Sequence, residues 1–148
     1  MGNQPGRDVA TELSARRTGM SFQRTRMSAD RTLMSVIRTS LSLIGFGFTI
    51  FQVFHKLYEA DVLKSARAAG NFGTALVLLG IVMLAVGIGY HVSFMLELRR
   101  LRAQMREDAL IHGETGFPVS LTLIVAFLLL TIGLFAVVSM VFGVGPFH

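Results

Sequence analysis

A long stretch near the end of the chain carries no ionisable side chain, and this feature limits most strongly what the chain can fold into. From Phe117 to Phe147 the residues are apolar, small or hydroxyl-bearing, apart from two prolines. About 20 such residues form an α-helix that crosses the roughly 30 Å hydrocarbon core of a bilayer. A second uncharged stretch, from Ala68 to Leu96, is long enough to cross with some tilt. The chain therefore has at least two predicted transmembrane helices.

A third hydrophobic stretch, with a shorter charge-free part, lies at about residues 35–57. Its charge-free part, 39–54, is short for a full crossing. We therefore expect Arg38 and Lys56 near the two membrane edges, with their charged ends reaching toward water. Ser28 is the expected N-cap of this helix.

The predicted fold class is thus all-α: an integral membrane protein with three transmembrane helices in a small bundle. The first residues are polar, contain five arginines and offer little apolar surface to bury, which is typical of a disordered tail. We expect a disordered basic cytoplasmic tail over 1–26 and a transmembrane domain over 27–148, with helices at about 30–57, 70–108 and 118–143.

The positions of the lysines and arginines predict the orientation. Eleven of the 14 lie before the first span or in the second loop, three lie between Lys56 and Arg67, and none follows the third span. The positive-inside rule then places the N-terminus in the cytoplasm and the C-terminus outside. If the cell is bacterial, a helical bundle indicates the inner (plasma) membrane, crossed several times, because outer-membrane proteins are β-barrels.

Composition also argues against several classes of function. The chain has no cysteine, and its four histidines are scattered, so we expect no metal and no cofactor. No nucleophile–base arrangement, phosphate loop or intramembrane carboxylate pair occurs, so we expect no enzyme. The net charge of +5 comes from arginines beside apolar stretches, where topology and anionic lipid explain it, so we expect no nucleic-acid partner.

One face of the first span is polar along its whole length. Steps of four and three residues place its members on one side of a helix. This polar stripe consists of Arg31, Ser35, Arg38, Ser42, Gly45, Thr49, Gln52 and Lys56. In lipid such a face must turn toward protein or water. It either packs against another helix, or lines an anion path with arginines at its cytoplasmic mouth; the candidate pore-lining or anion-binding residues are Arg31, Arg38, Ser42, Thr49, Gln52 and Lys56.

Small residues line faces of the other two spans and predict close helix packing. Gly73, Gly80 and Gly87 recur at heptad spacing in the second span, and His91, one turn further, is predicted to be buried in the bundle. The third span carries its small residues on one face. They are Thr122, Ala126, Gly133, Ala136 and Gly143.

Four arginines follow the second span in a helix-favouring run. They are Arg99, Arg100, Arg102 and Arg106. One interpretation is a solvated positive-inside cluster that touches anionic lipid headgroups. The other is phosphate recognition by guanidinium groups.

Two runs, Asp30-Arg31-Thr32-Leu33 and residues 37–48, resemble the opening helix of the YidH-like bacterial inner-membrane proteins, domain-of-unknown-function family 202. Ala29 and Asp30 stand where that family usually has Asn-Glu, and Ser35 stands where it has Trp. The resemblance implies a three-helix inner-membrane protein. The same domain is similar to the membrane part of the vacuolar transporter chaperone complex, whose basic side chains line a polyphosphate channel. By that resemblance the corresponding residues are Arg31 and Arg38, and more loosely Arg99 and Arg100.

Three helices leave little room for an internal path, so the polar stripe predicts a homo-oligomer with copies of the first helix around a shared axis. Its expected partners are the lipid bilayer and, in addition, either further copies of the chain or another membrane protein. The predicted function is an oligomeric scaffold or accessory subunit of unknown biochemical role. The alternative is an oligomeric anion or polyphosphate-type channel.

Overall fold

The fold is a bundle of three α-helices, seen in a computed structural model that describes residues 5–65, 67–107 and 120–143. The helices are α1 (Pro5–Glu59), α2 (Arg67–Glu107) and α3 (Leu121–Phe142). Each is long and apolar enough to cross a membrane, and the described residues contain no strand. The predicted all-α, three-span architecture is confirmed.

Helices α2 and α3 begin and end within a few residues of the predicted positions. Ser120 is the N-cap of α3, and Pro118, the expected start, lies outside the described residues. Gly143 ends α3 in the left-handed conformation, with φ 61°, and donates its N–H to the Ser139 carbonyl. Gly143 was predicted to pack, but a Cβ added there would meet no atom within 4 Å, so its role is that of a C-cap.

Helix α1 differs from its prediction, because it begins at Pro5 rather than near residue 30 and replaces the predicted disordered tail over 5–26. Ser28 and Asp30 consequently lie inside the helix, so Ser28 is not an N-cap. At 1.5 Å per residue, α1 is about 80 Å long.

The reason for this extension is a second helix that runs beside it. Helices α1 and α2 are antiparallel, and Leu98 of α2, beyond the apolar span, is buried. On the extension of α1, half-buried residues recur every three or four positions, which continues the buried face of the span. They are Ala15, Gly19, Phe22, Arg26 and Ala29. From Ala15 onward the extension thus has a partner surface that its own sequence does not reveal, whereas the side chains described before Ala15 are all exposed.

The core lies where α3 packs against the α1–α2 pair. Two apolar clusters fill it, one toward each end of the spans. The first contains Leu33, Ile37, Leu84, Ile88, Ala126 and Leu129, and the second contains Ile44, Val77 and Ile81. Burial of these side chains orders the three helices relative to one another.

Glycines allow α1 and α2 to touch backbone to backbone. A Cβ added at Gly73 would lie 2.6 Å from the Gly47 carbonyl oxygen, and one at Gly80 would lie 3.0 Å from the Ser40 carbonyl oxygen. A Cβ at Gly87 would meet the Val36 side chain at 2.6 Å. The heptad-spaced glycines of α2 are therefore a close-packing surface, as predicted.

The end of α1 contains a strained residue that supplies a test of the local fold. The Asp61 N–H donates to the Tyr58 carbonyl and the Val62 N–H to the Leu57 carbonyl, each at 3.1 Å, as in a Schellman motif. Asp61 accordingly has φ 60°, where glycine is favoured.

We expect Asp61→Gly to raise the free energy of unfolding by roughly 0.5–1 kcal/mol, because glycine removes the left-handed strain. We expect Asp61→Val to lower it by about 1 kcal/mol or more, because a β-branched residue is disfavoured at positive φ. Thermal unfolding in detergent measures both variants. Equal midpoints for the two variants would contradict the assigned turn.

Candidate functional site

The polar stripe of α1 points away from the rest of the bundle. Seven of its eight residues are exposed, and Gln52 is half-buried. The side of α1 that meets α2 and α3 instead carries Leu33, Ile37 and Ile44, each at most 8% exposed. Within one copy of the chain, the stripe is therefore not a packing surface between its own helices.

The hydroxyl groups of the stripe are satisfied within α1. Ser42 Oγ donates to the Arg38 carbonyl at 2.9 Å, and Thr49 Oγ1 donates to the Gly45 carbonyl at 2.8 Å. Such bonds to the preceding turn let a hydroxyl lie in lipid at modest cost. Gln52 also interacts with a neighbouring group. The hydroxyls alone do not require a second chain.

The arginine side chains of the stripe, unlike its hydroxyl groups, have no described partner within α1. Arg31 and Arg38 are exposed, and no described group forms an ion pair or a side-chain hydrogen bond with either guanidinium. Lys56 is exposed at the opposite end of the apolar stretch. A guanidinium at membrane depth must reach water, headgroups or another chain. The stripe thus presents cations outward at both edges of the span.

The predicted arginine cluster lies on the part of α2 that runs beyond the apolar span. Arg99 and Arg100 are exposed, whereas Arg102 is half-buried. Arg99 and Arg102 each interact with a neighbouring group of the protein, so part of their hydrogen-bonding or charge interaction is made within the chain. The side chain of Arg106 lies outside the described residues.

A polar junction that the sequence did not predict joins all three helices. Ser120 Oγ donates a hydrogen bond to Asp30 Oδ1 at 3.0 Å, and His91 Nε2 lies 3.6 Å from the same oxygen. The His91 side chain is 2% exposed, which confirms its predicted burial. Its Nδ1 is buried, with no hydrogen-bond partner among the described atoms. We call Asp30, His91 and Ser120 the polar junction.

In the junction, the Ser120 hydroxyl does not make the hydrogen bond to the helix backbone that is usual for a serine at an N-cap. Ser120 is the N-cap of α3, yet its side chain makes no capping hydrogen bond and reaches α1 instead. Its carbonyl oxygen accepts the first helical bonds, from Leu123 and Ile124. The junction therefore fixes where α3 starts relative to α1. Within the described ranges no three His, Asp or Glu side chains are grouped to hold a metal ion.

Three helices that are long and apolar enough to cross a membrane define a multi-pass helical membrane protein. The chain belongs to the DUF202 family, described as a domain of unknown function, whose model matches residues 17–95. The match covers a little over half of the chain, including the polar stripe and the glycines of α2. The resemblance to this family is confirmed, whereas the similarity to the vacuolar transporter chaperone complex stays a prediction.

The matched region begins at Arg17, inside the extension of α1. Part of the segment predicted to be a tail is therefore part of the family's domain. Searches of curated proteins and of solved structures find no match for the chain.

Proposed function

We propose that the protein is a scaffold or accessory subunit that assembles with copies of itself through the polar stripe of α1. The observation that carries this proposal is the outward position of the stripe, with the exposed Arg38 guanidinium near the membrane. An arginine facing lipid costs about 2.5–3.5 kcal/mol at the centre of a spanning helix on insertion scales, and less near a membrane edge, where Arg38 lies. Copies of α1 around a shared axis cover the stripe and lower that cost.

The proposal includes an orientation and a location. The extension of α1 and the end of α2 carry most of the cations, which supports a cytoplasmic N-terminus and a C-terminus outside. The inner (plasma) membrane is the proposed location, because the spans are helices.

The alternative is an oligomeric anion channel, of the polyphosphate type, lined by α1. Arg31, Arg38 and Lys56 share the outward stripe and favour this alternative. In a closed ring, each position repeats around the axis, and rings of Lys or Arg select anions. The hydroxyls of Ser42 and Thr49 then line the path between the charged rings.

Arg38→Gln separates the two functions. For a scaffold, we expect the variant to weaken assembly by about tenfold, because it removes a charged hydrogen-bond donor from the interface. For a channel, we expect intact assembly and loss of anion flux. Native mass spectrometry of protein released from nanodiscs gives the copy number, and liposome flux of phosphate and polyphosphate gives transport.

Arg24→Gln is the matched control. Arg24 is an exposed arginine of the same helix, outside the apolar stretch, so its loss should leave both assembly and flux unchanged. A wild-type monomer in nanodiscs would contradict self-assembly and leave only the accessory role beside a different partner.

A further inference from the structure

A cavity of about 690 Å³ opens between the three helices at the end where the loop between α1 and α2 lies. Volumes of about 300–1,000 Å³ are typical of small-molecule sites. Its walls come from the end of α1, the loop, the start of α2 and the end of α3. We call it the outer cavity. It lies at the opposite end of the bundle from the polar junction and off the polar stripe.

One end of the outer cavity is cationic. Lys64 and Arg67 line it, and no described carboxylate forms an ion pair with either. Glu59 lies instead 3.4 Å from His55 Nε2, and Asp61 is exposed outside the lining. Neither cation is therefore neutralised by an ion pair within the described residues, and the nearby Glu59 carboxylate faces His55, on the α1 wall of the cavity.

The start of α2 adds to this positive potential. Helix N-termini favour anions, so carboxylates are stabilising there and cations are not. The first turn of α2 has no acidic residue and begins with Arg67. A cation at this position is unfavourable unless an anion accompanies it. Asn71 and Thr74, on the following turns, also line the cavity.

The other end of the outer cavity is apolar. Along α2 the lining changes from Arg67 to Leu78, over a distance of about 16 Å. Met140 and Val141 of α3 complete the apolar wall. The lining thus passes from cationic to apolar in the direction from the membrane edge to its interior.

We propose that the outer cavity binds an anionic phospholipid. The lipid phosphate lies between Lys64 and Arg67, near the N-terminus of α2, and one acyl chain follows Leu78, Met140 and Val141. Basic pockets between transmembrane helices on the cytoplasmic side bind anionic headgroups, and the outer cavity has the same chemistry at the opposite end of the bundle. Guanidinium and ammonium groups supply charge-assisted hydrogen bonds to phosphate oxygens. A zwitterionic lipid lacks the net charge that the two cations require.

The test is lipid retention by the full chain in detergent, measured by native mass spectrometry with phosphatidylglycerol and with phosphatidylcholine of the same acyl chains. We expect preferential binding of phosphatidylglycerol. We expect the double variant Lys64→Gln/Arg67→Gln to bind it about tenfold or more weakly, because each surface cation contributes about 1 kcal/mol. The preference should also fall as salt is raised.

The matched control is Arg17→Gln/Arg24→Gln, which removes the same charge from exposed positions on the extension of α1. It should leave phosphatidylglycerol retention unchanged. Equal retention of both lipids, or equal loss in both double variants, would overturn the proposal.

Soluble glycerol 3-phosphate distinguishes a lipid from a free phosphate compound. If only the diacyl lipid is retained, the apolar wall contributes and the proposal stands. If glycerol 3-phosphate binds as tightly as the lipid and displaces it, the site is for a soluble phosphate and the lipid proposal fails.

Discussion

Replacing Gly73 with alanine is expected to lower the free energy of unfolding by up to about 3 kcal/mol, the cost typical of overpacking a tight contact. The added methyl group would lie 2.6 Å from the Gly47 carbonyl oxygen and 3.0 Å from the Phe51 backbone nitrogen. Both atoms belong to the backbone, so neither can rotate away. Relief therefore requires α1 and α2 to move apart along their length.

Gly89→Ala is the control for this prediction. Gly89 lies on the same helix, is exposed, and has no atom within 4 Å of an added Cβ. Alanine there should be neutral or stabilise the protein by up to about 1 kcal/mol, through its higher helix propensity. The free energies of unfolding of the two variants are measured in mixed micelles of increasing SDS content, with circular dichroism as the readout. If Gly73→Ala and Gly89→Ala behave alike, the backbone contact is wrongly placed.

Asp30→Ala is expected to lower the free energy of unfolding by about 2–3 kcal/mol, because hydrogen bonds to charged groups contribute most among such bonds. The substitution leaves the Ser120 hydroxyl without its acceptor and removes the carboxylate beside the buried His91. We expect the start of α3 to detach first, since the junction is its link to α1. Cysteine cross-linking between the two helices would then become inefficient.

A double-mutant cycle of Asp30→Ala with Ser120→Ala isolates this interaction. The two changes should be strongly non-additive, since either one already removes the hydrogen bond. Asp8→Ala is the control, because Asp8 is an exposed carboxylate in the first turn of the same helix and should contribute only a few tenths of a kcal/mol. Equal losses for Asp30→Ala and Asp8→Ala would show that the junction does not hold the bundle.

The spans of α2 and α3 could be predicted to within a few residues because bilayer thickness sets the length of an uncharged helix. The start of α1 could not, since it depends on a surface contributed by another helix. Residues 15–29 have little to bury on their own, and they become helical beside the continuation of α2 around Leu98. Propensity and composition of one segment do not contain this information.

The candidate site was predictable in part. Periodicity assigned the polar stripe to one face, but small residues occur on both sides of α1, such as Ser40 and Gly47 inside and Ser42 and Gly45 outside. Which side meets α2 is decided by packing. The polar junction was not predicted because Asp30 and Ser120 are 90 residues apart. Its one local signal was a lone carboxylate near the edge of an apolar span, which needs a polar partner.

The continuity of α1 gives the molecule a mechanical property. About 28 residues of the same helix precede Leu33, its first buried residue among those described, and they form an arm of about 40 Å. Transmembrane helices tilt by 0–40° with bilayer thickness and packing. A change of about 10° in tilt displaces the tip of such an arm by about 7 Å. A small change in the tilt of α1 within the bilayer would therefore move the far end of the arm by several ångströms.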